Sequence, residues 1–260
     1  MTDKTIKKLS RQLNKGSYLR SFSIILFAAA ELIIFSVLPF ALIKAADVSG
    51  FKSYIEKFSP IIFPIITGII FAVITFFTFS VFSSVSIGEK AWYSGRMSGK
   101  RNCGKRLRFW FLPSKSFKAL RLEMLITALK LLWTIAFLSP ALLIFSAIIG
   151  TAFYGGIEPT LLISLAGGGF LLLVTGLIFR FIVIQRYFLA PYLMAQNPKL
   201  KVIQAVKQSK NLLEGHIFKI VKFKLKHLPS FLLYPLIFPA IFFYPNYKQG
   251  CSVLAKEICL

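Results

Sequence analysis

Residues 60–87 read PIIFPIITGIIFAVITFFTFSVFSSVSI, 28 residues without a single charge. As a helix rising about 1.5 Å per residue this run reaches ~42 Å, more than the ~30 Å of a bilayer hydrocarbon core. It reads as a membrane-spanning helix that tilts or protrudes. Four further apolar stretches flank it, at 21–43, 124–150, 160–184 and 228–244. The chain has 260 residues and is 56% hydrophobic, against roughly 45–50% for globular domains. The expected fold is all-α: a polytopic helical membrane protein of about five spans plus interfacial amphipathic helices.

The basic residues between the stretches alternate. Lys and Arg number 6 in residues 1–20, 3 in 44–58, 10 in 88–122, none in 151–159, 10 in 180–227, and 2 after Tyr244. Of the 32, Lys130 falls inside the third stretch and Arg180 near the end of the fourth, which is uncharged to Phe179. Short loops rich in Lys and Arg stay cytoplasmic. The expected topology places the N-terminus, 88–122 and 191–227 inside, and 44–58, 151–159 and the C-terminus outside. The chain divides into a basic cytoplasmic segment 1–20, a membrane domain 21–245 and a tail 246–260, in a bacterial plasma membrane. The last stretch has 17 residues and contains Pro229, Pro235 and Pro239. Its rival reading is a re-entrant hairpin with the tail inside, allowed only where protein covers the broken backbone. A cleaved signal peptide fits poorly, because the 23 residues of 21–43 exceed the ~7–15 of a signal core.

The net charge of +23 raises nucleic acid as a partner. Spans interrupt the basic residues every few tens of positions, however, which fits anionic membrane lipid, where each nearby Lys or Arg contributes about 1 kcal/mol. Lipid is therefore the expected partner and nucleic acid is not. Cys103, Cys251 and Cys259 are odd in number and match no metal spacing. A Cys251–Cys259 bridge requires an extracytoplasmic tail. Ser164 and Gly168, four apart in the fourth stretch, share a helix face that admits a neighbouring backbone.

Residues 185–227 carry the clearest local signals. Asn197 and Pro198 form a cap and first-turn pair, and Gly215 suits the left-handed position after a helix end. They predict an amphipathic helix over 198–214, with Val202, Ala205, Val206, Ser209 and Leu213 on one face and Lys207 and Lys210 off it. A second segment, 217–227, puts Ile217, Val221 and Leu225 on one face and Lys219, Lys222 and Lys226 on another. Such helices lie in the membrane interface or pack on the spans.

Ala190-Pro191-Tyr192, then Asn197, Pro198, Ala205, Ser209, Leu213 and Gly215, together with Leu132-Trp133 and Pro140, resemble a pattern in uncharacterised bacterial integral membrane proteins. That family is related to the membrane domain of glycerophosphodiester phosphodiesterases. The resemblance is strongest over 185–245 and implies a multi-helix membrane fold without an activity. Gln196 stands where the family often has an acid, and His227-Leu228-Pro229 replaces an aromatic run.

Catalytic chemistry finds no support in the pattern. His216 and His227 stand ~16 Å apart along one helix, too far to share a metal. The nine acids are scattered. Gly99–Arg106 imitates a phosphate loop, but Arg106 occupies the position where a hydroxyl must hold magnesium. No catalytic residue, metal or cofactor is expected. Lys100, Arg101, Lys105, Arg106 and Arg108, followed by Phe109, Trp110 and Phe111, suit lipid headgroups, as do Lys207 and Lys210. Glu31 and Lys130 lie at similar depths in spans one and three and are expected to pair. Two functions follow. One is a non-enzymatic lipid-contacting scaffold or envelope-complex subunit. The other is a small transporter or permease subunit with Glu31 in a membrane cavity. A lipid-directed membrane enzyme is disfavoured.

Overall fold

The computed structural model describes residues 3–15, 62–97, 103–154, 158–231 and 237–259, with isolated positions between 18 and 45. Most of the first apolar stretch, residues 46–58 and Glu31 lie outside these residues. Among the described residues the fold is all-α, with no strand.

A short helix α1, Asp3–Asn14, is followed after the first stretch by α2, Ile62–Met97. Residues 62–82 of α2 reach ~31 Å, the thickness of a hydrocarbon core, and Ile65, Ile69, Phe71 and Phe77 there are about half exposed. From Ser83 on the same helix is buried: Ser83, Ser84, Ile87, Glu89, Ala91 and Tyr93 are covered by protein. Helix α3, Cys103–Phe109, turns back on α2 and leads into α4, Pro113–Tyr154. Here too the helix has two parts. Ala119, Leu120, Leu122 and Ile126 are buried, whereas Leu131, Leu132, Ile135, Leu142 and Leu143 are exposed.

Helix α5, Pro159–Ile184, runs antiparallel to α4. Its contacts descend in order, Gly169 against Ile144, Gly176 against Phe137, and Arg180 donating to Thr134 Oγ1 at 2.7 Å. The segments Pro64–Met97, Pro113–Thr151 and Thr160–Gln196 are each long and apolar enough to cross a membrane. Their most apolar windows are only 0, 6 and 11% buried, a surface that water does not tolerate and lipid does. The predicted end of the second span, 87, and start of the third, 124, fall about ten residues short of the helices, which reach Met97 and begin at Pro113. Hydropathy marks where lipid ends, while the helical hydrogen bonds continue into a protein layer.

The small-residue contact between α4 and α5 also differs from the expectation. A side chain added at Gly168 would meet nothing within 4 Å, and Ser164 is exposed. The close approach is made one face over, at Gly169 and Gly176. A Cβ on Gly176 would collide with the Phe137 carbonyl oxygen. Gly176→Ala is therefore expected to cost about 1–3 kcal/mol, the range for overpacking, and Gly168→Ala almost nothing. Thermal unfolding of both variants in one detergent checks the difference.

The remaining elements build a cap at one end of the spans. A 3-10 turn, Gln185–Tyr187, leads to α6, Ala190–Gln196, then α7, Val202–Leu212, α8, Ile217–Phe231, and α9, Ile237–Cys259. One cap core gathers Ile87, Ala91, Trp110, Ala119, Leu122, Ile126, Met194 and Ala205. The other gathers Ile6, Leu189, Leu213, Ile220, Phe223 and Leu254. The basic segments that the charge pattern assigns to one side, around α1, α3 and α7, thus lie together.

The tail lies with them, which corrects the expected exit to the opposite side. Helices α8 and α9 form an antiparallel hairpin: Lys219 Nζ is 2.8 Å from Glu257 Oε1, and the Phe223 and His227 rings meet Tyr247 at 6.1 and 5.6 Å. The middle of the fifth stretch, 232–236, lies outside the described residues. Asn14 Nδ2 donates to Asn246 Oδ1 at 3.2 Å, joining the N-terminal helix directly to α9. Cys251 and Cys259 are both free; eight residues apart on one helix they are separated by ~12 Å, beyond disulfide reach.

Candidate functional site

Where the lipid-exposed half of the spans gives way to the cap, the helices line an open cavity of about 320 Å³. That is near the lower end of small-molecule sites, roughly 300–1,000 Å³. Its walls come from five parts of the chain: Phe82, Ser86 and Lys90 of α2; Glu123, Ile126 and Lys130 of α4; Gln185, Tyr187 and Tyr192 around the 3-10 turn; Lys224 of α8; and Tyr247, Lys248 and Cys251 of α9.

Helical spacing explains how the sequence delivers these groups. Ser86 and Lys90 are one turn apart, and Lys90 Nζ donates to the Ser86 carbonyl at 3.1 Å and to its hydroxyl at 2.6 Å. The same hydroxyl donates to Glu123 Oε1 at 2.9 Å, linking α2 to α4. Glu123 and Lys130 are seven residues apart, two turns, so one face of α4 presents both. Lys224 Nζ donates to Gln185 Oε1 at 2.6 Å. Lys248 Nζ lies 2.8 Å from Glu89 Oε2, with side-chain exposures of 24% and 7%.

Among the described residues, four lysines therefore face the cavity against Glu123. Counting Glu89, which is committed to Lys248, still leaves an excess of two positive charges. The field is felt by its own members. Burial pushes the Lys224 ammonium below the usual lysine range, Cys251 opposes that, and Lys130 and Lys248 add to it. Burial also acts to lower Lys248, but the Glu89 carboxylate and Tyr244 outweigh it and hold that ammonium well above the lysine range. Such a site attracts an anion and holds it with ammonium and hydroxyl donors. Among the described residues no group of three His, Cys, Asp or Glu side chains could hold a metal.

The residues singled out from sequence fall into three sets. Lys130 is a cavity wall residue, and its expected pairing with Glu31 lies outside the described residues, as do Lys100 and Arg101. Lys105, Arg108, Lys207 and Lys210 are exposed and Arg106 is half-buried. Of the three aromatics after Arg108 only Phe111 faces outward, at 37%; Trp110 is 1% exposed in the cap core, so it does not sit at headgroup level. The outward patch is instead Phe111, Leu112 and Phe117, with the Arg121 guanidinium 4.5 Å from the Phe117 ring.

The motif residues turn out to be packing elements. Asn197 closes α6 and accepts from the Lys199 N–H at 3.2 Å, and Pro198 sits in the following turn. Helix α7 starts four residues later, at Val202, with Gln204 Oε1 accepting the Lys201 N–H at 3.4 Å. Ala205 and Leu213 are fully buried, Ser209 donates to the Arg186 carbonyl at 2.8 Å, and Gly215 has φ +83. They fasten α7 to the end of the third crossing helix. On α8 the buried face is Ile220 and Phe223, while Leu225, expected on the apolar face, is 52% exposed. The helix carries two apolar stripes, and its period alone does not say which one the hairpin partner covers.

Lys90, Glu123, Lys224 and Lys248 escaped the sequence reading. Their signal was available as spacing within helices, Ser86 to Lys90 and Glu123 to Lys130. The convergence of α2, α4, α8 and α9 was not. No family model, curated protein or solved structure matches the chain.

Proposed function

We propose that this is a multi-pass protein of the bacterial plasma membrane, N-terminus cytoplasmic, that acts by binding rather than catalysis and contacts anionic lipid at its cytoplasmic face. The observation that carries the reading is the outward patch of Phe111, Leu112 and Phe117, with the Arg121 guanidinium over the Phe117 ring, Lys115 beside Phe109, and the exposed Lys105 and Arg108 just before it in the chain. Apolar side chains reach the headgroup boundary there while cations meet phosphates. The exposed Lys207 and Lys210 of α7, beside Ile203 at 63% exposure, extend the same chemistry. A scaffold or subunit of an envelope complex fits this design. The resemblance over 185–245 to membrane proteins related to phosphodiesterase membrane domains supports the same class, with Asn197, Pro198 and Gly215 as its scaffold. The second reading, a transporter or permease subunit, is favoured by the ionisable cavity beside Lys130.

Reconstitution into nanodiscs of mixed phosphatidylglycerol and phosphatidylcholine tests the proposal. The lipid retained around the wild-type chain is expected to be enriched in phosphatidylglycerol, and the enrichment to fall when Lys105, Arg108, Lys115 and Arg121 become Gln. Retained lipid of the bulk composition would contradict it.

A further inference from the structure

We infer that the lysine-lined cavity is a specific site for one phosphate group, carried either by a lipid headgroup or by free phosphate. The inference rests on the binding role proposed above and assigns it to a second place in the molecule, distinct from the outward patch.

Three observations carry it. First, among the described residues an excess of two positive charges lines a cavity of about 320 Å³. Partly buried cations gathered on one wall with too little counter-charge favour an anion that completes the site. Phosphate monoesters carry about −1.5 to −2 at neutral pH, which matches that excess. Second, the donors are of the right kind. Ammonium groups bind phosphate as point charges with three donors each, and here they come from four separate helices with the Tyr192 and Tyr247 side chains on the same wall. Third, the cavity lies at the level where the α2 surface changes from lipid-exposed to protein-covered. Phe82 on its wall is 43% exposed and Ser83 next to it is fully buried. A headgroup at this height leaves its acyl chains alongside the exposed face of α2, whereas a soluble phosphate enters from the cap.

The test uses the full-length chain in phosphatidylcholine nanodiscs with two probes, phosphatidic acid and inorganic phosphate. Bound species are counted by native mass spectrometry and affinity is read from the thermal shift. Wild type is expected to take one phosphate-bearing species per chain. Lys130→Gln with Lys224→Gln is expected to weaken it by roughly ten- to hundredfold, the effect of losing a charge-assisted hydrogen bond. Lys130→Arg with Lys224→Arg, which keeps the charges, restores tight binding and controls for folding; Lys130→Gln alone serves if the double variant is unstable. Binding of phosphatidic acid alone identifies a lipid site, and binding of both probes a site open to soluble phosphate. The outward-patch variant Lys105→Gln with Arg108→Gln keeps the single bound species even where it loses the surrounding anionic lipid. Absence of a bound species with either probe, or equal binding by the Gln and wild-type cavities, overturns the inference and leaves the outward-patch reading standing.

Discussion

Glu89→Ala is expected to destabilise the protein by about 3–5 kcal/mol, the cost of leaving one member of a buried ion pair without its partner. The pair with Lys248 at 2.8 Å is the charged link between α9 and α2. It is flanked one residue on by Gln249 Nε2 donating to the Tyr93 carbonyl at 3.4 Å. Glu89→Ala strands the Lys248 ammonium beside three other cavity lysines, so the loss includes repulsion that the carboxylate now offsets. Lys248→Met alone strands Glu89 instead and is expected to cost a similar amount. The double variant Glu89→Leu with Lys248→Met removes both charges and is expected to recover most of the loss, since apolar replacement of a buried pair is often close to neutral. Thermal unfolding of the three variants in one detergent measures the cycle. Additive losses would show that the pair is not coupled.

Trp110→Ala is expected to cost about 3–5 kcal/mol, the range for deleting a large buried aromatic. The indole is 1% exposed and sits among Ile87, Ala119, Leu122 and Met194, where it holds the α3 turn onto α2, α4 and α6. The neighbouring Phe111→Ala, at a position facing outward, is expected to change stability by less than about 0.5 kcal/mol. The contrast between the two separates a core aromatic from an interfacial one, and equal small effects would place Trp110 in the lipid interface after all.

How much of this was legible in the chain follows from what each residue must do locally. Uncharged runs such as 62–82 announce lipid contact without reference to any neighbour. Gly215 announces a helix end because few other residues adopt its φ. Lys105 and Arg108 announce an exposed basic turn. Trp110 misleads for a physical reason: an aromatic next to basic residues has the same local signature in a headgroup layer as in a protein core beneath a basic surface. Asn197 and Pro198 mislead similarly, since a cap-like pair also closes the helix before it. The side of the tail could not be decided from its prolines, because that depends on α9 finding α1 and the end of α2. The cavity was hidden for the same reason. Lys90, Lys130, Lys224 and Lys248 are spread over more than 150 residues, and only the hairpin of α8 and α9 brings the last two to the first two.

The N-terminal helix and the tail pack in one cap, and the proposed orientation puts that cap on the cytoplasmic side. Single cysteines at Lys4 and Lys256, in a chain carrying Cys103→Ser and Cys259→Ser with Cys251 left buried, test it by labelling with a membrane-impermeant maleimide. Both positions are expected to stay unlabelled in cells with an intact inner membrane and to label once that membrane is permeabilised. Labelling at position 256 with the membrane intact, while position 4 stays protected, would contradict the shared cap.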